Sequence, residues 1–158
     1  MRDEPDIVKE LREAEKKGKL KSYLKKDEKK SENKKKKILI VDDDSSIRRT
    51  VKSGFDRLDL KYKVVNAENG KECLKKLKTE SLPDLILLDV MMPEMNGWDV
   101  AAEIKKNSEW STIPIIFLTA KADSHTKNYA KILSDDFITK PFEITDLKKR
   151  IEYTLKKK

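Results

Sequence analysis

The sequence predicts an α/β protein built around a parallel sheet. Short apolar runs alternate with amphipathic, 3.6-periodic segments five times over about 120 residues. The run Leu85 to Leu88 is apolar on consecutive positions, as a central strand covered on both faces requires. Ile38 to Val41 forms the first strand, followed by a helix marked by Ile47, Val51, Phe55 and Leu58 and opened by Ser45 or Ser46 as N-cap. Tyr62 to Val65 reads as the second strand, and Cys73, Leu74 and Leu77 share one face of the next helix. Pro83 breaks the chain before Leu85. Trp98, Ala101, Ala102 and Ile104 mark the helix that follows, and Pro114 introduces the strand Ile115 to Leu118. Tyr129, Ile132 and Leu133 mark another helix, Phe137 to Thr139 a brief fifth strand, and Ile144, Leu147, Ile151 and Leu155 the last helix. Strand–helix–strand units of this kind close with right-handed crossovers.

The segment ahead of this pattern has a different character. Of the formal net charge of +8, most lies in the head: through Lys37 there are fifteen Lys and Arg against nine Asp and Glu, and thereafter twenty-two against twenty. Residues 1–35 are read as a charged extension and residues 36–158 as the folded domain. Ile7, Val8, Leu11 and Ala14 give the extension one apolar stripe, with Pro5 near its start and Asp3 or Asp6 as cap. Gly18 interrupts it, and Leu20, Tyr23 and Leu24 form a second stripe. Lys25 to Lys37 reads as a solvated linker. A helical tail without a partner, a helix that docks on a protein, and a basic arm on nucleic acid or an anionic membrane all fit this composition. Tyr23 is its one aromatic, which argues against a stacking platform for single strands.

Chemistry gathers at the strand ends. Asp42 and Asp43, Asp89, Thr119 and Lys140 each follow or close an apolar run, and ligand sites of open parallel sheets lie outside the carboxyl ends of the strands. Singly, each has an ordinary reading: a solvated turn for the acidic pair, a strand end for Asp89, a helix cap for Thr119, a surface amine for Lys140, core for Phe137. Jointly they do not. Asp42-Asp43-Asp44, the string Leu88-Asp89-Val90-Met91-Met92-Pro93-Glu94-Met95-Asn96-Gly97, Leu118-Thr119-Ala120 and Thr139-Lys140-Pro141-Phe142 together resemble a response-regulator receiver domain, over roughly Lys36 to Lys157.

The resemblance implies a flavodoxin-like (βα)5 three-layer sandwich with strand order 2-1-3-4-5. It implies Asp89 as phosphoacceptor, Mg²⁺ held by Asp43 and Asp89 directly, by Asp42 through water and by the Met91 main-chain carbonyl, with Asp44 starting the loop and not a ligand. Lys140 would neutralise the transferring oxygens, aimed by a cis peptide bond to Pro141. Thr119 would bond the phosphoryl group, and Phe137 would turn inward as a switch residue, altering the face made by the last two helices and fifth strand. Met91 and Lys121 would flank the path of hydrolytic water, so that Lys121→Ala changes the lifetime of the phosphoryl group.

The residue types suit this chemistry. Carboxylates crowded at ~4 Å repel by roughly 4 kcal/mol per pair at an effective dielectric of ~20, so a hard divalent cation is needed to keep the nucleophile ionised. In one place the sequence departs from the family: Leu133-Ser134 stands where Gly-Ala is frequent, so a left-handed turn there is replaced by another shape. His125 has no metal or triad partners in sequence, Cys73 reads as an inert helix-face thiol, and Trp98 and Trp110 cover hydrophobic surface.

One cysteine excludes a disulfide framework within the chain, no apolar run approaches the ~20 residues of a membrane helix, and the charged N-terminus lacks a signal-peptide core. These features predict a cytoplasmic location. The expected function is that of a stand-alone response regulator, a phosphoacceptor and not a turnover enzyme, phosphorylated by a sensor histidine kinase or phosphotransfer protein, as monomer or phosphorylation-dependent dimer. It would act by protein contact or onward phosphotransfer. The alternatives are a phosphorylation-independent binding module of the same fold and an adaptor whose basic head binds nucleic acid. A phosphohydrolase is disfavoured by Met91, which stands where a second acid would be needed.

Overall fold

The computed structural model describes residues 5–22, 35–58, 60–120 and 123–157. They fall into two compact units, Met1–Lys35 and Lys36–Lys158. In the first, helix α1 (Asp6–Lys16) follows Pro5 at the N-cap position and carries Ile7 and Val8 exposed, with none of its residues buried. Gly18 ends it at φ 68°, where its amide donates to the Glu15 carbonyl and the Lys19 amide to that of Ala14. Only glycine adopts that φ without strain. Tyr23 and Leu24, assigned from sequence to a second stripe, lie outside the described residues, as does most of the expected linker.

The second unit is a five-stranded parallel sheet between two helical layers. Its elements run β1 (Lys36–Val41), α2 (Ser45–Arg57), β2 (Tyr62–Ala67), α3 (Gly70–Thr79), β3 (Leu85–Asp89), α4 (Gly97–Lys106), β4 (Ile115–Thr119), α5 (Ser124–Leu133), β5 (Asp136–Thr139) and α6 (Ile144–Lys156). The strand order is β2-β1-β3-β4-β5, the flavodoxin-like order that the family resemblance implies. Period-two alternation divides the core. Leu39, Val41, Ile86, Leu88, Ile115 and Phe117 pack with Cys73 and Leu77 of α3 and Val100, Ala101 and Ile104 of α4. Ile38, Ile40, Leu85, Leu87, Ile116 and Leu118 pack on the other side with Val51 and Phe55 of α2 and Leu147 and Ile151 of α6. Each strand therefore feeds both layers, which is why no strand reads as an alternating polar pattern.

Several expectations need correction. Lys36 and Lys37 belong to β1 and not to the linker: they pair with Tyr62 and Lys63, and the Lys37 amide donates to Asp84 at 2.7 Å. Asp44, not Ser45 or Ser46, caps α2. Its carboxylate accepts from the Ser46 amide at 2.8 Å and the Ser46 hydroxyl at 2.6 Å, and these bonds hold it below the ordinary carboxylate range. Leu58, placed on the apolar face of α2, is 41% exposed beyond its end. On α5 the buried residues are Thr126 and Ala130; of the three residues that marked the helix, Leu133 packs against the core layer, whereas Tyr129 and Ile132 are exposed. After Leu133 the chain avoids a left-handed turn as expected. Ser134 is extended (φ −141°, ψ 169°) and its hydroxyl donates back to the Ala130 carbonyl at 2.5 Å.

The loop from β3 to α4 is the tightest part of the domain. Glu94 sits at φ 65°, Met95 donates to the Pro93 carbonyl at 2.7 Å, and Asn96 caps α4 through the Asp99 amide at 2.9 Å. Gly97 then passes against the β3 end, its amide bonded to the Val90 carbonyl at 2.8 Å. A methyl group at Gly97 would lie 2.3 Å from the Asp89 carbonyl oxygen and 2.9 Å from Val90 Cα. Both are main-chain atoms and cannot swing aside. Gly97→Ala is expected to lower the unfolding free energy by about 2 kcal/mol, read as a lower urea midpoint with unchanged slope.

Candidate functional site

The strand register converges the polar residues. Val41 pairs with Leu88, so Asp42 and Asp89 leave adjacent strands side by side. Thr119 pairs with Thr139, so Lys140 emerges beside them, and its amide donates to the Thr119 carbonyl at 2.7 Å. Asp42, Asp89 and Thr119 are buried (0%, 4% and 1% exposed), whereas Asp43 is exposed. This lies where strand order reverses around β1, the switch point at which open α/β sheets bind ligands.

Lys140 bridges the two buried acids, 2.7 Å from Asp42 Oδ2 and 3.2 Å from Asp89 Oδ1. The Met91 amide reaches Asp89 Oδ1 more weakly, at 3.4 Å. Burial and the Asp42 charge push the Asp89 carboxyl up to about 6, against the pull of Lys140. Burial alone would lower the Lys140 ammonium, but its bond to Asp42 and the charges of both acids outweigh that and raise it. The lysine therefore stays charged while the Asp89 carboxyl is held above the ordinary carboxylate range.

Carboxylate oxygens of Asp42, Asp43 and Asp89 lie within 4.8 Å of one another. An octahedral Mg²⁺ with ligands at about 2.1 Å spans oxygens up to about 4.2 Å apart, so small side-chain rotations would let these acids share one ion. The donor set is all oxygen, one acid is open to solvent and the others are buried. That combination fits a hard cation that retains water ligands.

A family model described as response regulator receiver domain matches residues 38–152. The chain belongs to that family. Among curated proteins, the response regulator SaeR of Staphylococcus aureus is 41% identical over 95 residues, covering 60% of this chain and 40% of SaeR. The chain thus matches well under half the length of such relatives. Among solved structures, the chemotaxis protein CheY4 of Vibrio cholerae is 31% identical with a TM-score of 0.69, covering 75% of this chain and 98% of that one. The receiver domain of Francisella response regulator 1452 is 32% identical with a TM-score of 0.69, over 77% and 98%. A putative response regulator of Chloroflexus aurantiacus is 29% identical with a TM-score of 0.71, over 77% and 98%.

The Lys140–Pro141 peptide bond is cis. Met91 is 62% exposed at the rim, and Phe137 is partly buried against the core layer shared with Phe117, its strand partner. Lys121 lies outside the described residues. His125 is exposed on α5. Cys73 is fully buried and its thiol is pushed to about 12 by desolvation first, which leaves it inert. Trp110 is buried, and Trp98 packs edge-on against Phe117 with centroids 4.5 Å apart. No helix among the described residues is long and apolar enough to cross a membrane.

Two arginines went unread in the sequence. Arg48 donates to the Asp42 carbonyl at 2.6 Å, and Arg150 holds Asp136 and the Phe137 carbonyl at 3.0 and 3.1 Å. Charged helix residues ordinarily read as solvated, and a main-chain acceptor leaves no trace in the sequence.

The Asp89 carboxyl, whose folded value is above its unfolded one, favours folding in its protonated form. That contribution is complete below about pH 4 and is lost as pH rises through about 6. Without divalent cation, wild type should therefore lose about 1–2 kcal/mol more than Asp89→Asn between those limits, after allowance for solvent screening at the mouth. Chemical denaturation at a series of pH values measures the difference, and parallel curves would contradict the assignment.

Proposed function

We propose that this receiver accepts a phosphoryl group on Asp89 from a phosphohistidine of a sensor kinase or phosphotransfer protein, with Mg²⁺ held by Asp42, Asp43, Asp89 and the Met91 carbonyl. The observation that carries this reading is the juxtaposition of Asp89 with two further carboxylates within 4.8 Å and with Lys140 at 3.2 Å. An Asp89 oxygen forms the O–P bond as the N–P bond of the donor breaks, and the imidazole leaves with the electron pair. Bound Mg²⁺ supplies charge neutralisation of the phosphoryl oxygens. Lys140 supplies the opposing positive charge as a point donor. Thr119, at the end of β4 beside it, donates its hydroxyl to the new phosphoryl group.

Such a charge event biases the packing around Phe137 and the outer face of α5, β5 and α6. Ile132 of α5 and Tyr153 of α6 are exposed, and the surface of these two helices is where a downstream protein reads the state. The domain is a phosphoacceptor and not a turnover enzyme. Residues 36–158 carry this chemistry, and residues 1–35 form a separate extension.

With a small-molecule phosphodonor and Mg²⁺, wild type is expected to gain the mass of one phosphoryl group and Asp89→Asn none. Lys140→Ala should slow the gain about a hundredfold, the effect of removing one preorganised donor from a developing anion. Equal labelling of Asp89→Asn would place the acceptor elsewhere. Absence of labelling together with absence of Mg²⁺ binding would favour a phosphorylation-independent binding module.

A further inference from the structure

We infer that Arg48 is a positioning residue that holds the acid-bearing loop after β1 in its ion-binding shape. This rests on the reading of Asp42, Asp43 and Asp89 as Mg²⁺ ligands. Arg48 lies in the first turn of α2, six residues after Asp42, with its side chain 12% exposed. Its Nη1 donates to the Asp42 carbonyl at 2.6 Å. That oxygen belongs to the peptide joining Asp42 to Asp43, so one bond fixes the plane from which both acidic side chains hang.

The other end of the guanidinium is held as well. Nη2 lies 3.6 Å from Glu68 Oε1, in the loop after β2. The Glu68 amide donates to Glu72 Oε2 at 3.1 Å, and Lys76 pairs with Glu72 at 3.4 Å and donates to the Asn66 carbonyl. The same two loops are joined directly by the Asp42 amide and the Ala67 carbonyl at 3.2 Å. Arg48 thus spans from the acid loop to a braced neighbour. A flexible ammonium on a single-point stem cannot reproduce a rigid two-ended fork.

Two effects of this cation oppose each other. Its charge repels an incoming divalent ion, whereas its grip keeps Asp42 and Asp43 aimed. Glu68 offsets part of the charge, and the short bond from Arg48 to the Asp42 carbonyl, at 2.6 Å, is the stronger of its two contacts. The grip therefore prevails, and its loss should weaken Mg²⁺ binding. Groups that orient metal ligands without touching the metal alter affinity about 10- to 100-fold, and the lower end applies because this bond goes to main chain.

The test is a Mg²⁺ titration of the full chain, followed through the amide NMR shifts of Asp89 to Met92, which also report whether each variant is folded. Arg48→Lys keeps the charge, so any loss there is geometric; about threefold weaker binding is expected. Arg48→Gln should bind about tenfold more weakly, although electrostatics alone would make it tighter. Arg49→Gln is the control, since Arg49 is exposed and donates to the Ser45 carbonyl of its own helix, at 3.4 Å. Affinity in the order Arg, Lys, Gln at position 48, with the control unchanged, supports the inference. Equal or tighter Mg²⁺ binding by Arg48→Gln or by Arg48→Lys overturns it, and if Arg48→Gln does not fold, Arg48→Lys alone decides. A wild type whose shifts do not respond to Mg²⁺ overturns instead the reading of the acids as an ion site, and the role of Arg48 toward an ion with it.

Discussion

The Lys140 ammonium between Asp42 and Asp89 is the interaction on which the site depends. Two carboxylates buried at neighbouring strand ends repel strongly, and removing one partner of a buried charge cluster leaves the others uncompensated. The lysine makes the metal-free domain tolerable, but incompletely, because Asp89 remains shifted upward. Burial first, and the Asp42 charge second, disfavour the ionised form of Asp89 by more than the ammonium offsets. On the proposed reading a divalent cation would relieve that conflict, and the same lysine would meet an incoming phosphoryl oxygen.

Placing these groups is the work of the sheet. The register sets Val41 against Leu88, so that Asp42 and Asp89 follow side by side, and Thr119 against Thr139, while both helical layers press on the apolar residues of the central strands. What the sheet cannot fix is the loops above it. Those are fixed by separate devices: Asp44 capping α2, Asn96 capping α4, and the bare backbone of Gly97 against the Asp89 carbonyl. Asp44 and Gly97 act on main chain within a few residues of an acid, so the geometry of the carboxylates rests on backbone bonds as well as on their contacts with Lys140.

This division explains what could be read from the residues. The strands were legible because consecutive apolar residues admit few other structures, although strand order and site roles came from resemblance and not from periodicity. The cap of α2 was misread because three successive aspartates and two serines offer several cap registers, and only the folded chain selects Asp44. On α5, a helix of ten residues with Tyr129, Ile132 and Leu133 suggests a buried stripe. The contact face is Thr126 and Ala130 with Leu133 packed beside them, so one residue of the expected stripe is kept and two smaller residues replace the others. Arg48 and Arg150 were missed for a different reason: their acceptors include carbonyl oxygens, which every residue has.

The outward face of α5 also bears on how a signal would leave the site. Trp98 follows Gly97, the residue pressed on the Asp89 backbone, and its ring meets Phe117 at 4.5 Å and Tyr129 at 5.5 Å. Phe117 in turn lies two residues before Thr119 and opposite Phe137 in the sheet. One aromatic group therefore touches the β3–α4 connection, the strand that carries Thr119 and the exposed surface of α5. Close-packed interiors pass on displacements and do not absorb them. A movement of Thr119 toward a phosphoryl group would consequently be felt at Tyr129 through packing, even where Phe137 keeps its rotamer.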